Sequence, residues 1–234
     1  MTCCLLPVLK SAELMTPQDS YNPPPHCGLD ILYQDKYLVA VSKPSGLLSV
    51  PGRGENKADS MATRVQSEYA DALVAHRLDR DTSGLLIFPR GAVIHRQISM
   101  MFEKREMTKS YVAVVMGKFE LEQGEVDMPL MVDWPNRPRH IVDATNGKPA
   151  QTRYKVISFD AASNTSRVAL EPITGRTHQL RVHMQALGHP IVGDTLYGGN
   201  ADGRVPRLLL HAHTLDFIHP VSGKPMNLIS PLPF

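Results

Sequence analysis

The chain has 234 residues, 42% hydrophobic and 21% charged, enough to bury a substantial core and too apolar for a disordered segment. Its 25 basic and 23 acidic residues leave a formal charge of +2, which permits a nucleic-acid partner through a local patch without demanding one. Three cysteines without paired spacing exclude a disulfide framework and a cysteine zinc site, and no apolar run reaches the roughly 18 residues of a membrane helix.

Residues 1–28 are Pro-rich and patternless, ending in Tyr21-Asn-Pro-Pro-Pro25, and read as a surface arm. Leu5 to Leu9 has neither a cationic start nor a cleavage pattern, so no signal peptide is expected and the location reads as cytoplasmic. Residues 29–234 read as one domain. Ile31–Tyr33 and Tyr37–Val41 pattern as strands about a Gln34-Asp35 turn, and Lys43-Pro-Ser-Gly46 breaks the run. Gly52-x-Gly54 is too small a fragment to signal a phosphate loop. Ser60–Tyr69 has helical spacing, with Met61, Val65 and Tyr69 on one face.

His76-Arg-Leu-Asp-Arg-Asp-Thr-Ser83 then crowds charges and hydroxyls together immediately before the apolar Leu85–Phe88, with Gly84 expected to turn the chain tightly into that strand. Polar groups held against a core need partners, so this stretch reads as an ion-paired turn or a site. Ala92–Arg105 repeats Ile94, Ile98, Met101 and Phe102 at helical steps. Ser110–Gly117 alternates as a strand carrying Tyr111, and Glu120–Val126 reads as a turn region.

Residues 133–151 are expected to lack regular structure because of their prolines. They are locally basic through Arg137, Arg139, His140 and Lys148, around the single tryptophan. They read either as a solvated loop or as a flap that holds a phosphate backbone, with Trp134 as an anchor or stacking surface. Tyr154–Phe159 and Arg167–Leu170 pattern as a hairpin. Thr174–His183 leads into a helix ended by Gly188 and Pro190. Leu208–Leu210, Thr214–Ile218 and Met226–Ile229 pattern as strands. Strands dominate without βαβ alternation, which points to an α+β fold with a largely antiparallel sheet.

Several chemistries fit parts of this pattern. The ten histidines include the pairs His178/His183 and His211/His213, yet no third ligand accompanies either, so a metal site is not expected. Asp79-x-Asp81-Thr82 has the form of a Mg²⁺-dependent phosphatase motif. It lacks the preceding apolar strand, and Asp194 is the only faint candidate for a downstream acid. A glycosidase carboxylate pair from Asp79 and Asp81 has nothing specific behind it.

Three blocks decide among these: His76-Arg-Leu-Asp79-x-x-Thr-Ser-Gly84, Lys109-x-Tyr111-x-Ala-x-Val, and Gly175-Arg-Thr-His-Gln-Leu-Arg181. Together and in this order they resemble the RluA family of RNA pseudouridine synthases. Lys43–Gly52, Asp133-Trp-Pro-Asn-Arg-Pro138, Gly147–Thr152 and Leu187-Gly-His-Pro190 resemble its dual-specificity branch, which modifies large-subunit ribosomal RNA and the tRNA anticodon stem-loop. Residues 1–28 are too short for the S4 domain of many relatives, in keeping with that branch.

The resemblance implies a mixed, mainly antiparallel sheet in two related halves with flanking helices and loops, and a catalytic cleft between the halves. It implies that Asp79 is the essential aspartate, that Tyr111 stacks on the target uracil and that Arg181 pairs with Asp79 through two prongs. Arg77 would fill the space left by the departing base. His76, Lys109, Arg137, Arg139, Lys148 and Arg176 are nominated as RNA contacts. Isomerising uridine adds no atom overall, so neither cofactor nor metal is expected. A monomer suits a cleft within one chain. The competing expectations are a non-catalytic RNA-binding protein and a Mg²⁺-dependent phosphatase.

Overall fold

The computed structural model describes residues 21–198 and 205–234; residues 1–20, most of the expected arm, lie outside that range. The chain runs β1 (Ile31–Gln34), β2 (Leu38–Lys43), α1 (Met61–Glu68), β3 (Ser83–Pro89), α2 (Gly91–Glu103) and β4 (Thr108–Met116). It continues through β5 (Gln123–Asp127), β6 (Leu130–Val132), β7 (His140–Val142), β8 (Gln151–Asp160) and β9 (Thr165–Pro172). α3 (Gln179–Ala186), β10 (Leu210–Ile218) and β11 (Pro225–Ile229) follow. Nine strands form one sheet in the order β1-β2-β3-β10-β4-β9-β8-β5, with β11 paired to β10. The fold is α+β and the sheet mixed: β3 and β10 run parallel at its centre, and the other pairs are antiparallel.

The apolar run of β3 is continuous because both its faces are covered. Leu86 and Phe88 pack with Met61 and Val65 of α1. Leu85 and Ile87 point the other way, to Ile94 and Ile98 of α2. Each such side chain contributes about 1.5–3 kcal/mol, so a one-residue slip would misplace the whole set. Across the parallel seam, Leu180 and Met184 of α3 pack on Ala113, Val115, Val168 and Leu170. Tyr111 touches both the α1 cluster and the α3 cluster. The seam between the two sides of the sheet therefore lies beneath Tyr111.

Ser60 starts α1 with a reciprocal cap, its hydroxyl accepting the Thr63 amide at 3.2 Å while Thr63 Oγ1 accepts the Ser60 amide at 2.8 Å. Gly188 ends α3 in the left-handed region, as its position predicts.

Four expectations are corrected. Residues 123–127 form strand β5 rather than turn; the polar Gln123 and Glu125 hid an edge strand. Residues 133–151 are not structureless, since β6 pairs with β7 in a separate two-stranded sheet. Pro135 and Pro138 fall in the connection, where no ladder hydrogen bond needs their missing N–H. Residues 210–218 are one strand, whose register shift between Ala212 and Thr214 mimics a break. Gly84 lies within β3 rather than in a turn: its φ is +109°, and an added Cβ would sit 2.3 Å from the Ala212 carbonyl oxygen.

Candidate active site

The segment before β3 is held by a frame built from the loop after β2. Lys43 is fully buried, and its ammonium donates to the carbonyls of Leu47 at 2.7 Å, Arg80 at 2.8 Å and Pro44 at 2.9 Å. Burial pulls its pKa down to about 7, against the opposing charges of Asp81 and Asp79. Ser49 Oγ donates to the Leu78 carbonyl at 2.7 Å and accepts the Leu78 amide at 3.0 Å. Asp79 thus projects from a backbone fixed on both sides. Asp81, by contrast, is paired with its neighbour Arg80 at 2.9 Å, so the two aspartates do not form a carboxylate pair.

Asp79 faces α3. One terminal nitrogen of Arg181 donates to Asp79 Oδ2 at 3.4 Å. The two-pronged partner of Arg181 is a different acid: Asp194 accepts from Nε and Nη2, each at 2.7 Å. The expected two-pronged Asp79–Arg181 pair is therefore replaced by a clamp on Asp194 with one prong left for Asp79. Burial works to discharge Arg181, but Asp194 and then Asp79 outweigh it and hold the guanidinium above its usual pKa.

His178 caps α3 with a left-handed φ of 56°. That conformation is uncommon for a residue with a side chain and costs about 1–3 kcal/mol. It brings Nε2 to 3.9 Å from Asp79 Oδ2 while Nδ1 bonds the Tyr197 hydroxyl at 2.8 Å. Burial lowers its pKa to about 4, with the charge of Asp79 opposing, so the ring is neutral at physiological pH.

These groups line a cavity of about 590 Å³, a size suited to a nucleotide. Tyr111 lies in its wall. Burial, reinforced by the negative charge of Asp79, raises the phenol's pKa, so it stays protonated. The cavity gathers Asp79, Tyr111 and Arg181, and with them Arg77, His76, Lys109 and Arg176.

Their surroundings differ. Arg77 is exposed. His76 accepts the Ile87 amide at 3.0 Å and lies against Phe102; burial and then Lys109 lower its pKa to about 3, making it neutral wall rather than a cationic contact. Arg176 donates to the Pro149 carbonyl at 3.0 Å, tying the cavity rim to the segment after β7.

Arg137, Arg139 and Lys148 do not line the cavity. They belong to the β6–β7 region, where the Arg137 guanidinium lies 4.8 Å over the ring of Trp134, itself 61% exposed. Neither histidine pair forms a metal site: His183 bonds Thr152 and the Met128 carbonyl, while His211 bonds Ser83 and Ser230.

Asp79 and Arg181 thus meet in a nucleotide-sized cavity that has Tyr111 in its wall. The family description "RNA pseudouridylate synthase" fits residues 37–186, a span that holds Asp79, Tyr111 and Arg181. The chain belongs to that family. The dual-specificity RNA pseudouridine synthase RluA of Escherichia coli K12 is 51% identical over 217 residues, covering 92% of this chain and 99% of that protein. The Pasteurella multocida protein of the same name is 47% identical over 216 residues, covering 92% and 98%.

Among solved structures, human RNA pseudouridylate synthase domain containing 1 superposes with a TM-score of 0.76 at 28% identity, covering 91% of this chain and 87% of that one. Human RNA pseudouridylate synthase domain containing 4 gives 0.68 at 25%, covering 87% and 88%. As an RNA pseudouridylate synthase the protein is an isomerase, and neither the phosphatase nor the non-catalytic reading is retained.

Sequence reasoning missed Asp194 as the clamp, and with it Tyr197 and His178. The available signal was Gly193-Asp194-Thr-Leu-Tyr197-Gly198, an acid and an aromatic confined between two glycines. On sequence, Asp194 reads only as the faint downstream acid of a phosphatase motif.

Proposed function

We propose that this protein converts uridine to pseudouridine in both large-subunit ribosomal RNA and tRNA anticodon stem-loops, with Asp79 as its catalytic aspartate. The observation that supports this most is the meeting of Asp79, Tyr111 and Arg181, from three distant segments, in one cavity. The target uridine leaves its stack at a cost of a few kcal/mol, and the face of Tyr111 recovers part of that cost.

Asp79 acts as the carboxylate, either attacking C1′ or removing the C2′ proton. The bond from C1′ to N1 breaks and the uracil anion turns; C5 then bonds C1′ as the Asp79–C1′ bond breaks, or as Asp79 returns the proton to C2′, and the C5 proton is lost as N1 regains one. No atom is gained or lost overall, so the reaction needs no cofactor. Arg181 sets a positive charge beside the Asp79 carboxylate within a partly enclosed site. Tyr111, protonated and half-buried, serves as a stacking surface rather than a resident base. Arg77 occupies the vacated stack, and the β6–β7 hairpin holds the RNA backbone through Arg137, Arg139 and Lys148. The protein works as a cytoplasmic monomer.

The test is release of tritium from RNA labelled at uridine C5. Wild type releases label and Asp79→Asn does not; equal release would remove Asp79 from the chemistry. Mapping pseudouridine in ribosomal and transfer RNA from a strain lacking the protein tests the substrates. Both RNAs should lose a modification, and loss from one alone would reject dual specificity.

A further inference from the structure

The β6–β7 hairpin stands outside the cavity, yet Tyr197 joins it to the groups around Asp79, beside an edge-on contact of the His140 and His178 rings at 5.4 Å. Tyr197 is 2% exposed, and the guanidiniums of Arg181 and Arg139 lie over its ring at 5.1 and 5.5 Å. Its hydroxyl accepts the His140 amide of β7 at 2.8 Å and shares a 2.8 Å bond with His178 Nδ1. His178 in turn places Nε2 3.9 Å from Asp79. The turn carrying Tyr197 is fixed by Asp194, whose Oδ1 accepts the amides of Leu196 and Tyr197 at 2.9 and 3.0 Å while clamping Arg181. At the hairpin end, Arg139 Nε is buried without a hydrogen-bond partner. A buried donor left unmade is costly, so the resting seat of Arg139 is not its best one.

We propose that Tyr197 is a positioning residue that couples seating of the β6–β7 hairpin on RNA to the placement of His178 and Arg181 around Asp79. The coupling rests on the hairpin holding RNA, as argued above. RNA phosphate at Arg139 draws the guanidinium and the adjoining His140 amide into register. Tyr197 passes that register to His178 through its hydroxyl and to Arg181 through its ring. An RNA that fails to reach the hairpin leaves the same residues in place but loosely held. The hairpin thus selects substrates by turnover as well as by affinity.

The test compares Tyr197→Phe, Arg139→Ala and their double variant on a uridine stem-loop, by steady-state kinetics and RNA affinity. Tyr197→Phe keeps the ring between the guanidiniums and removes both hydroxyl bonds. Its kcat should fall about tenfold or more, the scale of a buried hydrogen bond, with KM little changed. The kcat loss from Arg139→Ala should largely vanish in the Tyr197→Phe background, since the two act on one linkage. Losses that multiply, or a Tyr197→Phe enzyme with full kcat, would overturn the coupling.

Arg139→Ala should also weaken RNA binding. If it weakens binding while the losses multiply, the hairpin still holds RNA and only the coupling fails. If it leaves affinity unchanged, the hairpin reading falls and the coupling with it. Arg139→Lys covers the case of a poorly folding Tyr197→Phe: it keeps the charge but loses the planar contact with Tyr197, so it should bind RNA normally and turn over slowly. Normal turnover by Arg139→Lys would overturn the proposal.

Discussion

Arg181 is committed to Asp194 by two 2.7 Å hydrogen bonds and offers Asp79 a single one of 3.4 Å. The division has a physical logic. A fully engaged carboxylate would be a poor reactant, while a guanidinium with no other anchor would drift as the substrate reshaped Asp79. Asp194 is 1% exposed and fixes the direction of the fork, leaving Asp79 a charge nearby and a free oxygen.

Asp194→Asn should therefore damage both fold and turnover. One charge-assisted bond is lost and the buried guanidinium is left half-compensated, a defect of about 3–5 kcal/mol. Urea unfolding should show that loss, and kcat should drop about 100-fold with RNA affinity nearly intact. Full kcat in Asp194→Asn would mean that the clamp is not needed.

Arg77, one of three exposed arginines in the cavity lining with Arg105 and Arg176, is the one that the proposed mechanism sends into the RNA. Arg77→Ala should slow turnover on a folded hairpin by about 10–100-fold, the equivalent of the few kcal/mol of lost stacking it replaces. On an unstructured strand, where little stacking is lost, the same variant should be nearly normal. Equal losses on both substrates would assign Arg77 another task.

The sequence made the covered half of the fold legible, because Leu85–Phe88 and the steps of α2 leave one arrangement that buries them. It concealed β5, which is mostly polar and pairs with the distant β8, and the β6–β7 hairpin, whose strands are only three residues each and flank a proline-rich connection. At the site, Asp79, Tyr111 and Arg181 came from a motif resemblance. The identity of the acid that clamps Arg181 did not, because Asp194 and Asp79 are indistinguishable to a spacing argument and only the folded chain ranks them. The neutrality of His76 was hidden for a similar reason: it follows from burial against Phe102, a contact between a loop and a helix.

Gly84 and Gly91 make a matched pair for testing the central seam. Both have positive φ, +109° and +74°, but a Cβ at Gly84 meets the Ala212 carbonyl at 2.3 Å, while at Gly91 it meets nothing within 4 Å. Gly91→Ala should cost about 1 kcal/mol from backbone strain alone. Gly84→Ala must also part β3 from β10 and should cost about 3 kcal/mol or more. Melting temperature reads the difference at about 2–4 °C per kcal/mol. Similar melting temperatures for the two variants would show that the seam tolerates a side chain.

Acid should unfold the protein through its buried histidines. Burial lowers the pKa of His178 and of His211 to about 4, and their side chains are 10% and 1% exposed. The unfolded chain titrates them near 6.5, so between pH 6.5 and 4 it binds protons that the folded state refuses. Stability is therefore full above about 6.5 and drains away as the pH falls toward 4. At pH 5 each ring should favour unfolding by about 2 kcal/mol. His76, lowered further still, acts in the same direction. Urea unfolding at pH 7 and pH 5 should differ by about 4 kcal/mol from the first two alone and by more with His76, and His211→Asn should narrow the gap by about 2 kcal/mol. A stability unchanged between those two pH values would mean that these rings accept protons without unfolding.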